Sequence, residues 1–313
     1  MGLSQIVKSG VIEGNALSKV FDYCKKNNFA IPSVSVINSE SINASLESAS
    51  NTNSAVMIQV SFENAKSFSG KVKKGDASIL GALLVSNQVH TLSSYYKIPV
   101  ILSTDYVCLK DIYLIDELLE KSIENYKERS IALFSSVAID LSNESLIDAI
   151  KITKKYLKKV SKIGMALDIK LGMSYKEDSE LFYMYEELQN ISENFTLSFS
   201  FIDEEIEDKI NIFKQLQKNI QKQFKTNSKP LNLVFNGDYC TKQDVREVIN
   251  TGVVKITLDC EIKNAFCDGV NNYDDNSLVG KYIEPKKWLR ETQKTIIKKL
   301  NTSIKEYNGK NSL

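Results

Sequence analysis

The stretch Ile98-Pro99-Val100-Ile101-Leu102-Ser103-Thr104-Asp105-Tyr106-Val107-Cys108 runs from an apolar segment straight into polar residues. It reads as a buried strand with chemistry at its C-terminal end, which is where the loops of parallel α/β folds converge on a ligand. Two readings of Asp105 are open on this stretch alone: a functional group at a strand end, or a cap for the following helix. The other strand ends have to decide between them.

Working outward, apolar runs and helical spacing alternate without a break. The pattern predicts strands at Ala30–Ile37, Val56–Val60, the run beginning at Val100, Ile131–Phe134, Ala166–Leu171, Phe195–Phe199, Leu231–Phe235 and Val254–Leu258. Between them it predicts helices at Ile42–Ser50, Ala77–Tyr96, Leu114–Glu128, Ser145–Lys162, Leu181–Gln189, Glu205–Phe224 and Lys242–Asn250. A polar leader and a first helix at Leu17–Lys26 precede the array, and Ser61–Asp76, rich in Ser, Lys and Gly, reads as a loop. Four prolines and 13 glycines are too few and too scattered to mark a linker, so residues 1–313 are expected to form one domain. Eight such units are the pattern of a (β/α)8 TIM barrel; a doubly wound sheet is the alternative, with fewer units and a switch point. The amphipathic segment from Tyr282 through Trp288 and Arg290 to Tyr307 reads as an appended C-terminal helix suited to packing or to a subunit contact.

Composition narrows the function classes. Forty basic and 39 acidic residues leave a net charge of +1, which gives no specific signal for nucleic acid or an anionic membrane. No signal-peptide pattern or membrane-length apolar run is present, so a cytoplasmic protein is expected. The five cysteines contain no CxxC pair and read as reduced thiols. The chain has one histidine, His90, so one copy cannot build a site that needs two or three imidazoles.

Segments spread over the chain in order, among them Asn28-Phe29-Ala30-Ile31-Pro32, Ile79-Leu80-Gly81-Ala82, Ile139-Asp140-Leu141-Ser142, Gly252-Val253-Val254-Lys255 and Trp288-Leu289-Arg290, resemble the class II fructose-1,6-bisphosphate aldolases. The resemblance implies a (β/α)8 lyase of glycolysis, often dimeric, in which zinc polarises the ketone of dihydroxyacetone phosphate and stabilises the enediolate.

The departures fall on that chemistry. The family's histidine-threonine/serine-aspartate-histidine run corresponds to Ser103-Thr104-Asp105-Tyr106: the acid/base aspartate stays, and Tyr106 stands where a zinc ligand is expected. The second metal position corresponds to Glu205 and the third to Asn236. Carboxylate, phenol and carboxamide are poor replacements for imidazoles around zinc, so no cofactor is expected. The glycine-rich phosphate cradle becomes Asn236-Gly237-Asp238-Tyr239-Cys240, which puts the charge of Asp238 where a dianion would sit. Ser61, Asp259 and Arg290 remain as substrate-binding positions, and Glu177 is the analogue of the loop acid.

Asp168-Ile169-Lys170 stands where the family has glutamates; a strand's period of two puts Asp168 and Lys170 on one face. If that face is the interior, Lys170 supplies a counter-charge to Asp105, Asp140 and Asp259. A Schiff-base role for Lys170 is the sharper version, which the neighbouring carboxylates oppose by raising its pKa. His90, Cys108 and Cys240 read as packing residues, and the lysine runs Lys71–Lys74 and Lys154–Lys158 as solvated faces.

These readings together point to a pseudoenzyme that acts by binding: to itself, to an active aldolase subunit or within a larger assembly. Residual lyase activity and a sugar-phosphate sensor are the rivals.

Overall fold

The computed structural model describes residues 2–172, 178–201, 204–238, 240–272 and 285–313. Among the described residues, nine strands occur in chain order: β1 (Gly10–Val11), β2 (Ile31–Ser35), β3 (Val56–Val60), β4 (Pro99–Cys108), β5 (Ser136–Leu141), β6 (Ala166–Gly172), β7 (Phe195–Ser200), β8 (Leu233–Asn236) and β9 (Val253–Leu258). All pairings are parallel, and β2 through β9 close on themselves through β9–β2, so the fold is a (β/α)8 barrel. The short β1 pairs outside the ring with the start of β4. Each barrel strand is buried nearly throughout, because side chains meet the interior on one face and helices on the other.

The helices are α1 (Gly14–Asn27), α2 (Ser39–Thr52), α3 (Phe62–Ser69), α4 (Ala77–Tyr96), α5 (Tyr113–Arg129), α6 (Leu146–Ser161), α7 (Asp178–Gln189), α8 (Ile206–Phe224), α9 (Lys242–Asn250), α10 (Cys260–Asn271) and α11 (Pro285–Glu306). Side-chain caps start several of them: Asn38 with Ser41, Ser145, and Thr241 with Asp244 take or exchange backbone N–H bonds at α2, α6 and α9. Among the predicted elements, β3, α4 and α9 agree with the expected spans to the residue, and most others to within three.

Four expectations are corrected. The run Ile131–Phe134 is not a strand; β5 begins at Ser136. The Leu133 N–H is bonded to Ser122 Oγ at 3.0 Å, and its carbonyl accepts from Ser86 Oγ at 2.8 Å and lies 3.1 Å from His90 Nε2. Side chains of α4 and α5 therefore use the backbone groups that a ladder would need. Within Ser61–Asp76, residues Phe62–Ser69 are helical: Ser61 caps α3 by accepting the Asn64 N–H, and Phe62 and Ala65 bury one face.

The leader is not a polar appendage. Leu3, Val7 and Ile12 are buried with Leu17, Phe21, Phe29, Ile31, Met57, Ile101 and Val254, in a cluster that plugs the N-terminal end of the barrel. The helix α10 follows the last strand, a position for which no helix was predicted.

The tail forms α11 as expected, with Tyr282 outside the described residues. It packs against α2 and α10 and buries Ile296, Leu300 and Ile304, each worth roughly 1.5–3 kcal/mol as an upper figure. The Tyr307 carbonyl accepts the Ala30 N–H at 3.1 Å and the Ser312 carbonyl accepts the Leu3 N–H at 2.7 Å, so the two chain ends close the same face. No helix among the described residues is long and apolar enough to cross a membrane.

Candidate functional site

The C-terminal ends of the strands converge on a cavity of about 360 Å³. Its polar lining includes Ser35 of β2, Gln59 of β3, Asp105 of β4, Lys170 of β6, Asn236 of β8, and Asp259 just beyond β9. An aromatic wall is formed by Tyr106, Phe199, Phe201 and Phe235.

Asp105 and Tyr106 are consecutive, yet both line this mouth. In a regular strand they would face opposite ways. The β4–β5 register shifts between Ser103 and Tyr106, and there the Thr104 hydroxyl accepts the Ala138 N–H at 2.9 Å in place of a ladder bond. This bulge aims both side chains inward.

Asp105 Oδ1 accepts from Gln59 Nε2 at 2.6 Å and from the Tyr106 N–H at 2.7 Å. Gln59 is itself oriented by Ser33 Oγ, which donates to Gln59 Oε1 at 2.6 Å. Burial raises the Asp105 carboxyl above its ordinary value; the two hydrogen bonds and Lys170 oppose this, and Asp259 adds to it. Such a group can give or take a proton closer to neutrality than a solvated aspartate. The Tyr106 phenol, bonded to Ser198, is held well above its ordinary value by burial and by Asp168, and stays protonated.

Lys170, in the lining, and Asp168, below it, both point inward, but their partners differ. Lys170 Nζ lies 3.0 Å from Asp140 and 6.0 Å from the centre of the Tyr106 ring. Burial alone would raise Asp140, but the Ser142 hydroxyl and N–H and the Lys170 ammonium together hold it below the usual carboxylate range. Asp168 lies deeper, bonded to Lys255 Nζ at 2.6 Å, Thr196 Oγ1 at 2.6 Å, Ser136 Oγ at 3.1 Å and Ser103 Oγ at 3.3 Å. Lys170 is thus the ion-pair partner of Asp140 and acts on Asp105 through its charge without a direct bond, whereas Asp259 pairs with Lys263 at 2.7 Å.

Of the remaining expected positions, Asn236 lines the mouth, and its Oδ1 accepts the Asp238 N–H at 3.0 Å. Glu205 is exposed at the start of α8 and is not part of the lining; Lys209, one turn later, is, with its ammonium 5.6 Å from the Phe201 ring centre. Ser61 is used as the α3 cap. Arg290 lies on α11 and makes a two-pronged ion pair with Glu47 of α2 at 2.6 and 2.7 Å, away from the lining of this mouth. Glu177 lies outside the described residues.

His90 is on the outer side of the barrel against Leu133, where burial lowers its pKa and favours the neutral ring. Burial pushes the Cys240 thiol up to about 11, away from a reactive thiolate. Cys108 Sγ lies 3.5 Å from Asp111.

Gln59, Lys209 and Lys255 are the residues that sequence reasoning passed over. The signal was available for two of them: a polar residue inside Val56–Val60 and a lysine inside Val253–Leu258 each interrupt an apolar run, and a buried polar group needs a partner.

The donors at the mouth are oxygen atoms of carboxylates, a phenol and amides. Among the described residues no group of three or more His, Cys, Asp and Glu side chains could hold a metal ion. This donor set does not fit zinc, which binds imidazole and thiolate in preference.

The comparisons with known proteins fit this architecture. The family profile "Fructose-bisphosphate aldolase class-II" matches residues 15–312. The fructose-bisphosphate aldolase of Campylobacter jejuni is 35% identical, over 98% of this chain and 99% of that protein. The fructose-bisphosphate aldolase class 2 of Escherichia coli is 35% identical, over 97% of each. The crystal structure of the Campylobacter jejuni aldolase superposes with a TM-score of 0.94 at 34% identity, covering 100% of both chains. A Coccidioides immitis structure, at 16% identity and TM-score 0.69 over 93% of this chain and 94% of that one, shares the fold. Full-length coverage at this identity leaves one conclusion: the chain belongs to the class II fructose-bisphosphate aldolase family.

Proposed function

We propose that this chain is a catalytically degenerate class II aldolase homologue, a cytoplasmic protein that acts by binding rather than turnover. The observation that carries the reading is the fate of the three expected metal positions. Tyr106 is a protonated phenol bonded to Ser198, Asn236 is tied to the Asp238 N–H, and Glu205 faces solvent outside the mouth. None of them supplies an imidazole, so the Lewis acid that would stabilise an enediolate has no evident seat.

The partner is a second copy, an active aldolase subunit or a larger assembly. Support comes from α4, which has no charged residue from Ala77 to Tyr96 and exposes Leu80, Leu84 and Tyr95 along one side. Outward-facing helices normally carry charge on their solvent side.

The test is zinc quantification on the purified protein beside a coupled aldolase assay. The expected result is substoichiometric zinc and no turnover of fructose 1,6-bisphosphate. Stoichiometric zinc, with turnover that disappears in Asp105→Asn, would overturn the reading. The second reading, residual or altered lyase activity, is favoured by one feature: Asp105 stands in the mouth with a raised pKa and a supporting shell in Gln59 and Ser33. The same assay decides between them.

A further inference from the structure

Asp238 follows β8, and its carboxylate crosses to the start of α10. Oδ1 accepts the Asp259 N–H at 3.2 Å and the Glu261 N–H at 3.3 Å, and Oδ2 accepts the Cys260 N–H at 3.3 Å. These are the N-cap and first two residues of a 12-residue helix. Their N–H groups have no partner within the helix, and the helix dipole adds positive potential at the same place.

In (β/α)8 barrels the loops after the seventh and eighth strands, together with a helix N-terminus, form the usual seat of a ligand phosphate. In this chain those strands are β8 and β9. The donors there are already satisfied, by a carboxylate of the chain itself.

The surroundings hold that carboxylate in place. The Asp238 N–H is anchored on Asn236 Oδ1 at 3.0 Å, which turns the residue toward α10. Asp259, the N-cap residue, makes no capping bond; its carboxylate goes to Lys263. Asp238 is therefore the acceptor on which the start of α10 depends. The Lys170 and Lys263 ammonium groups are engaged by Asp140 and Asp259. An incoming dianion would meet the charge of Asp238 directly, with Asp259 beside it, and would have to displace three hydrogen bonds.

We propose that Asp238 determines the specificity of the mouth: it serves as a built-in anion at the N-terminus of α10 and excludes phosphorylated ligands from the seat they would otherwise take. The inference deepens the reading of the mouth as the ligand site. It is read out by binding alone, so its failure leaves the zinc and turnover measurements untouched, and theirs leave it untouched.

The experiment titrates inorganic phosphate into the full-length protein and its Asp238→Gly variant by calorimetry, at matched ionic strength. Amide NMR shifts of Asp259, Cys260 and Glu261 locate any binding. The wild type should show no saturable binding and no shift at those amides. Asp238→Gly, with its N–H groups freed, should bind at least tenfold more tightly and move all three. Equal binding by wild type and variant overturns the proposal, as does an Asp238→Gly protein that gains nothing, or one that binds phosphate without moving these amides. Should the glycine variant not fold, Asp238→Ser keeps a capping oxygen without the charge and is judged by the same outcomes.

Discussion

Two lysine–aspartate pairs stand one above the other in this barrel, and their difference separates its foundation from its mouth. Lys255 and Asp168 are 2.6 Å apart with side chains only 2% and 4% exposed, and three hydroxyl groups complete the aspartate's hydrogen bonds. Lys170 and Asp140 are 3.0 Å apart and 31% and 21% exposed, at the edge of the cavity. The chemistry is the same and the solvent is not. Burial lowers the Lys255 pKa, with Asp168 opposing, so that pair survives only because each member satisfies the other. The upper pair is partly exposed and screened by water, so each member depends less on the other than in the lower pair.

The lower pair gives the largest expected effect. Lys255→Met strands a carboxylate in the barrel interior and should cost about 3–5 kcal/mol, read as a fall in the denaturant midpoint. Adding Asp168→Leu should recover much of that loss, because two apolar residues no longer leave a charge unpaired. A cost below about 1 kcal/mol for the single variant would break the comparison. Lys170→Met, in contrast, should cost less than about 1 kcal/mol and allow the Asp140 pKa to rise toward its ordinary value, visible by carboxyl NMR.

The carboxylates respond to pH in opposite senses. Asp140 titrates below its ordinary value of 3.8, so its contribution is present above that pH and lost as pH falls through the depressed folded value. Asp105 titrates above 3.8, so its ionisation disfavours the fold as pH rises through that range. Asp105→Asn should therefore stabilise the protein at pH 7, and the gain should vanish in acid where both forms are neutral. Denaturation of the two proteins across pH 3 to 8 checks this, and a destabilised Asp105→Asn at pH 7 would place the cost in the lost hydrogen bonds instead.

The barrel was legible because its signal is repetitive. A strand such as Val56–Val60 and a helix such as Ala77–Tyr96 announce themselves by period and composition, and eight repeats correct for one misplaced member. Ile131–Phe134 was misread because Ala132 and Phe134 pack just before β5 while Ser86, Ser122 and His90 use the backbone groups of Leu133. Phe62–Ser69 was missed because its stability comes from the Ser61 cap and a buried face more than from propensity.

The site was legible only in part. Asp105, Tyr106, Asn236 and Asp259 line the mouth, whereas Glu205, Ser61 and Arg290 are not part of its lining. Homologous position placed all seven; whether a side chain turns inward depends on neighbours distant in sequence. Gln59 reaches Asp105 from 46 residues away and Lys255 reaches Asp168 from 87.

By itself the sequence determined the (β/α)8 architecture, the membership of the aldolase family and the absence of imidazoles from the expected metal positions. These follow from local period, ordered motifs and residue identity. Only the tertiary structure decided which lysine answers which aspartate, that a bulge turns both Asp105 and Tyr106 into the mouth, and that Asp238 reaches the start of α10. Those outcomes depend on burial depth and on the satisfaction of buried polar groups, quantities that exist only once distant strands are side by side.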